Sequence, residues 1–175
     1  MKLSLTTSLL DKKCELVTNF KECYLEGLKV KEWLKNKKAY AIAFNQLGIN
    51  KACVVFNKHN KLGIRDSIIF NPSYSSLPES DIIESEEGCL SYPGIHIPIK
   101  RSTRVKLKYL NENFEEKEEW FEGLPARCVL HEHDHTEGIT FIKHLDPLRR
   151  RLLESKLKNV AKQNFSTNYK VKRLV

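Results

Sequence analysis

The segment His131-Glu132-His133-Asp134-His135 sets two imidazoles at i and i+4, with a carboxylate directly after the first. On an α-helix those positions stand side by side. His131 and His135 can then close on one metal ion while Glu132 reaches a water beside it. The chemistry this allows is hydrolysis, because a metal ion lowers the pKa of water and the carboxylate carries the proton away. Two ligands are not enough, since a catalytic site needs a third protein donor and one open position. The long metalloprotease form of the motif would supply a third histidine at position 141, but that residue is Phe141. Two donors remain. One is Glu154 downstream, since Glu137 lies too close and Asp146 serves better as a helix cap. The other is Cys89, within Glu87-Gly88-Cys89-Leu90-Ser91. A glycine before it and Tyr92-Pro93-Gly94 after it favour an irregular segment that presents the thiol. One thiolate and two imidazoles would leave the fourth corner of a tetrahedron free.

These residues need elements to hold them. Pro125, the apolar Ala126, Val129 and Leu130, and Gly138 as a stop predict the helix that the two histidines require. An amphipathic helix is expected over residues 20–37, with Cys23, Leu25, Leu28 and Trp33 on its apolar face. Strands are expected at 53–56, at 67–70 ending on Asn71-Pro72, and at 80–84, 95–99, 104–110 and 114–121. The last is charged enough to belong at a sheet edge. Asp146 and Pro147 open a final helix whose stripe is Leu148, Leu152, Leu153, Leu157 and Val160, and no order is expected after about Gln163. The expected fold is α+β: small antiparallel or mixed sheets around the central H-E-x-x-H helix, with an N-terminal and a C-terminal helix. One domain spans residues 1–175, with a catalytic body to about 145 and a basic helical extension from about 146.

The 175 residues are 41% hydrophobic and 30% charged, which excludes general disorder. No apolar run approaches the roughly 20 residues of a bilayer crossing, and the opening apolar stretch breaks at Asp11. A cytoplasmic monomer with no membrane partner is the expectation. The five cysteines, Cys14, Cys23, Cys53, Cys89 and Cys128, are odd in number and form no CxxC pair, so a disulfide framework is a poor reading. The net charge of +8 is concentrated after position 142, where ten basic residues face two acids. A basic arm suits RNA phosphates, and a solvated helix face explains it equally well.

Together, Glu87-Gly88-Cys89-Leu90-Ser91 and His131-Glu132-His133-Asp134-His135 resemble the second and third signature motifs of the peptide deformylases. The resemblance extends to Asn71-Pro72, to Gly123-Leu124-Pro125-Ala126-Arg127 and to Gly138 with Phe141-Ile142, roughly residues 38–147. It implies that Cys89, His131 and His135 bind the metal and that Glu132 is the general acid/base. Iron(II) is the implied physiological metal, with zinc, nickel or cobalt able to replace it. The Gln46 amide and the Leu90 N–H are the implied oxyanion donors. Substrate backbone is expected as an added strand beside Ala39, Tyr40 and Ala41, with the methionine side chain in a pocket formed partly by Val129. The family's first signature, G-x-G-φ-A-A-x-Q, aligns with residues 39–46: Gln46 matches, while Ala39 and Ala41 replace glycines and Phe44 replaces an alanine. Leu130 stands where a glutamine is usual. These departures bear on substrate fit more than on metal binding.

Arg101 aligns with a retained arginine and could pair with Glu87 or Asp134. His133 is expected to face away from the metal, and His59, His96 and His144 to face solvent. The implied activity is hydrolysis of the N-formyl group of formylmethionyl nascent peptides, with the basic helix on ribosomal RNA. Two alternatives stand beside it: a minimal metallopeptidase using His131, His135 and Glu154, and a catalytically impaired relative that binds RNA or the ribosome.

Overall fold

A computed structural model of the chain describes residues 3–4, 9–57, 62–76, 81–162, 167, 169 and 171–172. The expected position of His59 and the start of the 80–84 strand lie outside them. Strand β3, Cys53–Phe56, shows why the fold layers as it does. All four of its residues are buried, because both faces of its sheet are covered. Cys53 and Val55 point into one apolar cluster, Val54 and Phe56 into the other.

That sheet is antiparallel and five-stranded, ordered β2 (Ala41–Ala43), β3, β4 (Ile68–Ser76), β7 (Arg104–Leu110) and β8 (Glu116–Glu122). The charged β8 is terminal, as its composition requires. Helix α1, Phe20–Leu34, covers one face, and helix α2, Leu124–Thr136, covers the other. A long hairpin, β5 (Ile82–Cys89) and β6 (Tyr92–Ser102), forms a second sheet packed through Ile95, Ile97 and Ile99 on Phe141, Ile142 and Val160. The architecture is α+β, as expected.

Several details depart from the sequence expectation for physical reasons. The buried stripe of α1 is Cys23, Gly27, Val30 and Leu34, whereas Leu25 and Leu28 are exposed. Gly27 belongs to that stripe because Ile68 packs where a side chain would stand. Asn71-Pro72 does not end β4. The pairing with β7 shifts register between Phe70 and Ser73, and the Asn71 side chain accepts from Val17 N–H and donates to Val17 O. The C-terminal helix is two pieces, α3 (Pro147–Leu152) and α4 (Glu154–Ala161). Leu148 and Leu152 are exposed on the first piece, and Val160 anchors the second. Beyond Gln163, where no order is expected, the described Val171–Lys172 form strand β9, which pairs in parallel with β1, Leu3–Ser4.

Gly138 ends α2 at φ +71°, and a Cβ there would sit 2.4 Å from the Lys12 carbonyl carbon. Gly138→Ala therefore combines left-handed strain with a backbone clash. It is expected to destabilise the chain by about 2–3 kcal/mol, measured as a shift of the urea midpoint with unchanged m-value.

Candidate metal centre and substrate cavity

Helix α2 sorts its residues by helical period. Leu124, Arg127, Cys128, His131 and Glu132 face a cavity of about 580 Å³, and Ala126, Val129 and Leu130 face the core. Val129 is only 2% exposed and packs in the core, whereas Leu124 and Cys128 line the cavity. The first turn carries Pro125, and His135 sits one turn beyond His131, 1% exposed. Cys89 ends β5 immediately after a register shift at Gly88, with Leu90 and Ser91 turning the chain into β6. Strand pairing and an irregular presentation of the thiol therefore meet at one residue.

These segments converge. The ligand atoms of Cys89, His131 and His135 lie within 4.8 Å of one another, and Cys89 Sγ is 3.3 Å from His135 Nε2. Glu154, by contrast, is exposed at the start of α4 and paired with Lys158. The glutamate-ligated alternative therefore lacks its third donor.

Around the ligands lies a buried ionic layer. Glu87 accepts from His131 Nδ1 at 2.9 Å, from Arg101 Nε at 2.7 Å and from Arg127 Nη1 at 2.7 Å. Arg101 also donates to Asp134 at 2.7 Å, and His144 Nε2 meets the same Asp134 oxygen at 2.7 Å. Arg101 thus pairs with both carboxylates rather than lying on the surface. His144 is exposed as expected, with its Nε2 held by Asp134. His133 does face away, packing edge-on against Tyr74 at 4.4 Å between centroids. His96 is exposed as expected.

With Nδ1 held by Glu87, His131 presents Nε2 as its lone pair. Burial by itself would lower its pKa, but hydrogen bonds with Cys89 and Glu87 outweigh that and raise it to about 10. Burial pushes His135 well below its ordinary value, so it is the neutral base that a metal ligand must be. Burial also opposes ionisation of Glu87, yet its bonds from His131 and Arg101 prevail and hold the carboxyl at about 2. One sulfur and two imidazole nitrogens, with an orienting carboxylate behind, fit a divalent metal of the borderline class.

Glu132 is 5% exposed, and its Oε2 has no hydrogen-bond partner in the protein. Burial raises it to about 7 against the opposing pull of His131 and the Ala43 N–H. A buried carboxyl poised near neutrality suits proton transfer. Gln46 Oε1 accepts from Ala43 N–H at 2.8 Å, and its Nε2 reaches Ser91 Oγ at 3.2 Å and Cys89 Sγ at 3.4 Å. Leu90 lines the cavity, as do Ala39 and Tyr40 and, at the start of terminal strand β2, Ala41. Neither alanine has a positive φ, so the methyls replacing glycine carry no left-handed strain. Phe44 is fully buried in the α1-side core, away from the cavity lining.

Removing the central cation of the ionic layer tests its role. Arg101→Leu leaves Glu87 and Asp134 buried beside each other and is expected to destabilise the chain by about 3 kcal/mol in chemical denaturation. A neutral result would show that the two carboxylates are adequately held by Arg127, His131 and His144. Sequence reasoning did not find the Glu87–His131 bond, which depends on a pairing between distant segments. Nor did it find Tyr169, whose hydroxyl donates to Leu90 O at 2.9 Å from a lysine-rich stretch without periodicity.

Comparison with known proteins gives one answer. The model of the polypeptide deformylase family matches residues 3–151. The peptide deformylase of Fusobacterium nucleatum is 43% identical over 122 residues, covering 70% of this chain and 68% of that protein. That of Thermotoga neapolitana is 35% identical over 156 residues, covering 88% and 92%. The crystal structure of a peptide deformylase from Legionella pneumophila superposes with a TM-score of 0.80 at 28% identity, covering 94% of this chain and 96% of that one.

Proposed function

This chain belongs to the polypeptide deformylase family, whose members are metal-dependent hydrolases of N-formyl peptides, and on that premise we propose roles for its residues. Cys89, His131 and His135 hold the ion, and Glu132 moves the proton. The observation that carries this is the convergence of one sulfur and two ring nitrogens within 4.8 Å beside a buried, unpartnered carboxyl.

When bound, the metal ion supplies Lewis acidity, lowering the pKa of a water and polarising the formyl carbonyl. Glu132 takes a proton from the attacking water and passes it to the departing amine. The Leu90 N–H and the Gln46 amide donate to the oxygen that gains charge at the formyl carbon. Substrate backbone lies as an added strand beside Ala39, Tyr40 and Ala41, the segment that leads into β2 at the end of the main sheet. Leu124 and Cys128 take over the methionine-pocket role first expected of Val129. Iron(II) is the physiological ion in this reading, and zinc, nickel or cobalt suits the same donors. The chain acts as a monomeric single domain in the compartment of translation, on formylmethionyl nascent peptides. Among the described residues no helix is long and apolar enough to cross a membrane.

The test is formate release. Anaerobically purified, metal-loaded protein should release formate from formyl-Met-Ala-Ser and leave acetyl-Met-Ala-Ser intact; no release would overturn the reading.

The basic extension docks on ribosomal RNA in the same reading. Arg149 is already engaged by Glu84 at 3.0 Å, whereas Arg150 and Arg151 are exposed beside it on α3. The double variant Arg150→Glu/Arg151→Glu is expected to weaken ribosome co-sedimentation and to lower its salt slope by about 2, sparing hydrolysis of the tripeptide. Unchanged co-sedimentation would refute docking through this helix.

A further inference from the structure

The turn that carries the thiol is gripped from two sides. Cys89 pairs with Tyr92 across Leu90 and Ser91, so the peptide between those two residues is the tip of the β5–β6 connection. From the 3-10 turn Phe44–Leu47, directly after β2, Gln46 Nε2 donates to Ser91 Oγ. From the opposite end of the sequence, Tyr169 Oη donates to Leu90 O, across 79 positions. Holding that carbonyl restrains the Leu90–Ser91 peptide and, through the Leu90 dihedrals, narrows the orientations open to its own N–H.

Tyr169 is built into this place. Its ring packs against the cluster containing Phe44 and Leu47, and with Thr167 it lines the cavity. Two residues later the chain pairs with β1, Leu3 opposite Val171 and Ser4 opposite Lys172, which ties the C-terminal strand to the start of the chain. Tyr169 also lies beyond residues 3–151, so the family match carries no assignment for it.

We infer that Tyr169 is a positioning residue for deformylation: from the C-terminal strap it clamps the Leu90–Ser91 peptide and so aims the Leu90 N–H and the Cys89 sulfur at the reacting centre. This deepens the proposed function and rests on it for the identity of the reaction. The strap is a third support of the turn, beside the β5–β6 pairing and Gln46. Losing one neutral hydrogen bond should therefore loosen the turn without unfolding it.

The experiment compares full-length, metal-loaded wild type with Tyr169→Phe, which removes only the hydroxyl, and Tyr169→Leu, which also removes the ring. For Tyr169→Phe, kcat on formyl-Met-Ala-Ser should fall about fivefold with KM within about twofold, the scale of one lost net hydrogen bond. Amide exchange across residues 88–92 should quicken by a similar factor while β3 and β7 exchange as in wild type. Tyr169→Leu should show both effects and a raised KM. Wild-type kcat and wild-type exchange in Tyr169→Phe would overturn the inference. So would faster exchange at unchanged kcat, which marks a purely structural bond, or a lower kcat at unchanged exchange, which marks an effect that bypasses the turn. A wild-type chain that releases no formate defeats the reading of the preceding section instead, and the exchange comparison then decides alone whether Tyr169 holds the turn.

Discussion

Glu132→Gln is expected to lower kcat on formyl-Met-Ala-Ser by about a thousandfold while the protein keeps its metal and its fold. The reasoning is specific to position and environment. Glu132 is not a ligand in this arrangement: it stands one residue after His131 on the cavity face of α2, and one of its oxygens has no protein partner. Glutamine preserves the shape and loses the ability to accept a proton. Burial holds the native carboxyl near neutrality, where it can both take and return one. Metal analysis on the same preparation separates this from ligand loss. Activity within about tenfold of wild type would remove Glu132 from the proton path.

Cys89→Ala should act one step earlier, on the ion itself. Loss of a direct ligand should weaken metal affinity by more than the roughly 10- to 100-fold typical of an outer partner, so the purified variant should carry little metal and no measurable activity. His131 and His135 remain in place, because Glu87 still holds the first ring and the helix still buries the second. The variant therefore isolates the sulfur. A full complement of metal would mean that the third ligand lies elsewhere.

Much of the centre was legible because its chemistry is encoded locally. The i, i+4 spacing of His131 and His135 needs only a helix, and Pro125 and Gly138 mark where that helix begins and stops. The face of α2 was harder. Sequence reasoning placed Val129 in the pocket wall, but on the observed helix residue 128 shares the face of 124 and 131, and residue 129 turns into the sheet. The α1 stripe failed similarly, because leucines draw attention and Gly27 does not, although the contact with Ile68 selects the glycine face.

What could not be read locally was whatever depends on long-range pairing. The partners of Glu87 are brought together by the β5–β6 hairpin and the packing of α2 beside it. The continuation of β4 through Asn71-Pro72 depends on Val17, from another part of the chain. The return of Tyr169 to Leu90 has no periodicity to announce it. The altered first motif, by contrast, has a simple structural account. Ala39 and Ala41 avoid positive φ, and Phe44 is absorbed by the core on the α1 side, so the cavity edge keeps its backbone.

X-ray absorption on the zinc-loaded protein tests the central claim most directly. The account predicts one sulfur at about 2.3 Å and two imidazole nitrogens at about 2.0–2.1 Å, with a light-atom solvent ligand completing four-coordination. A first shell of nitrogen and oxygen alone, with no sulfur scatterer, would contradict it.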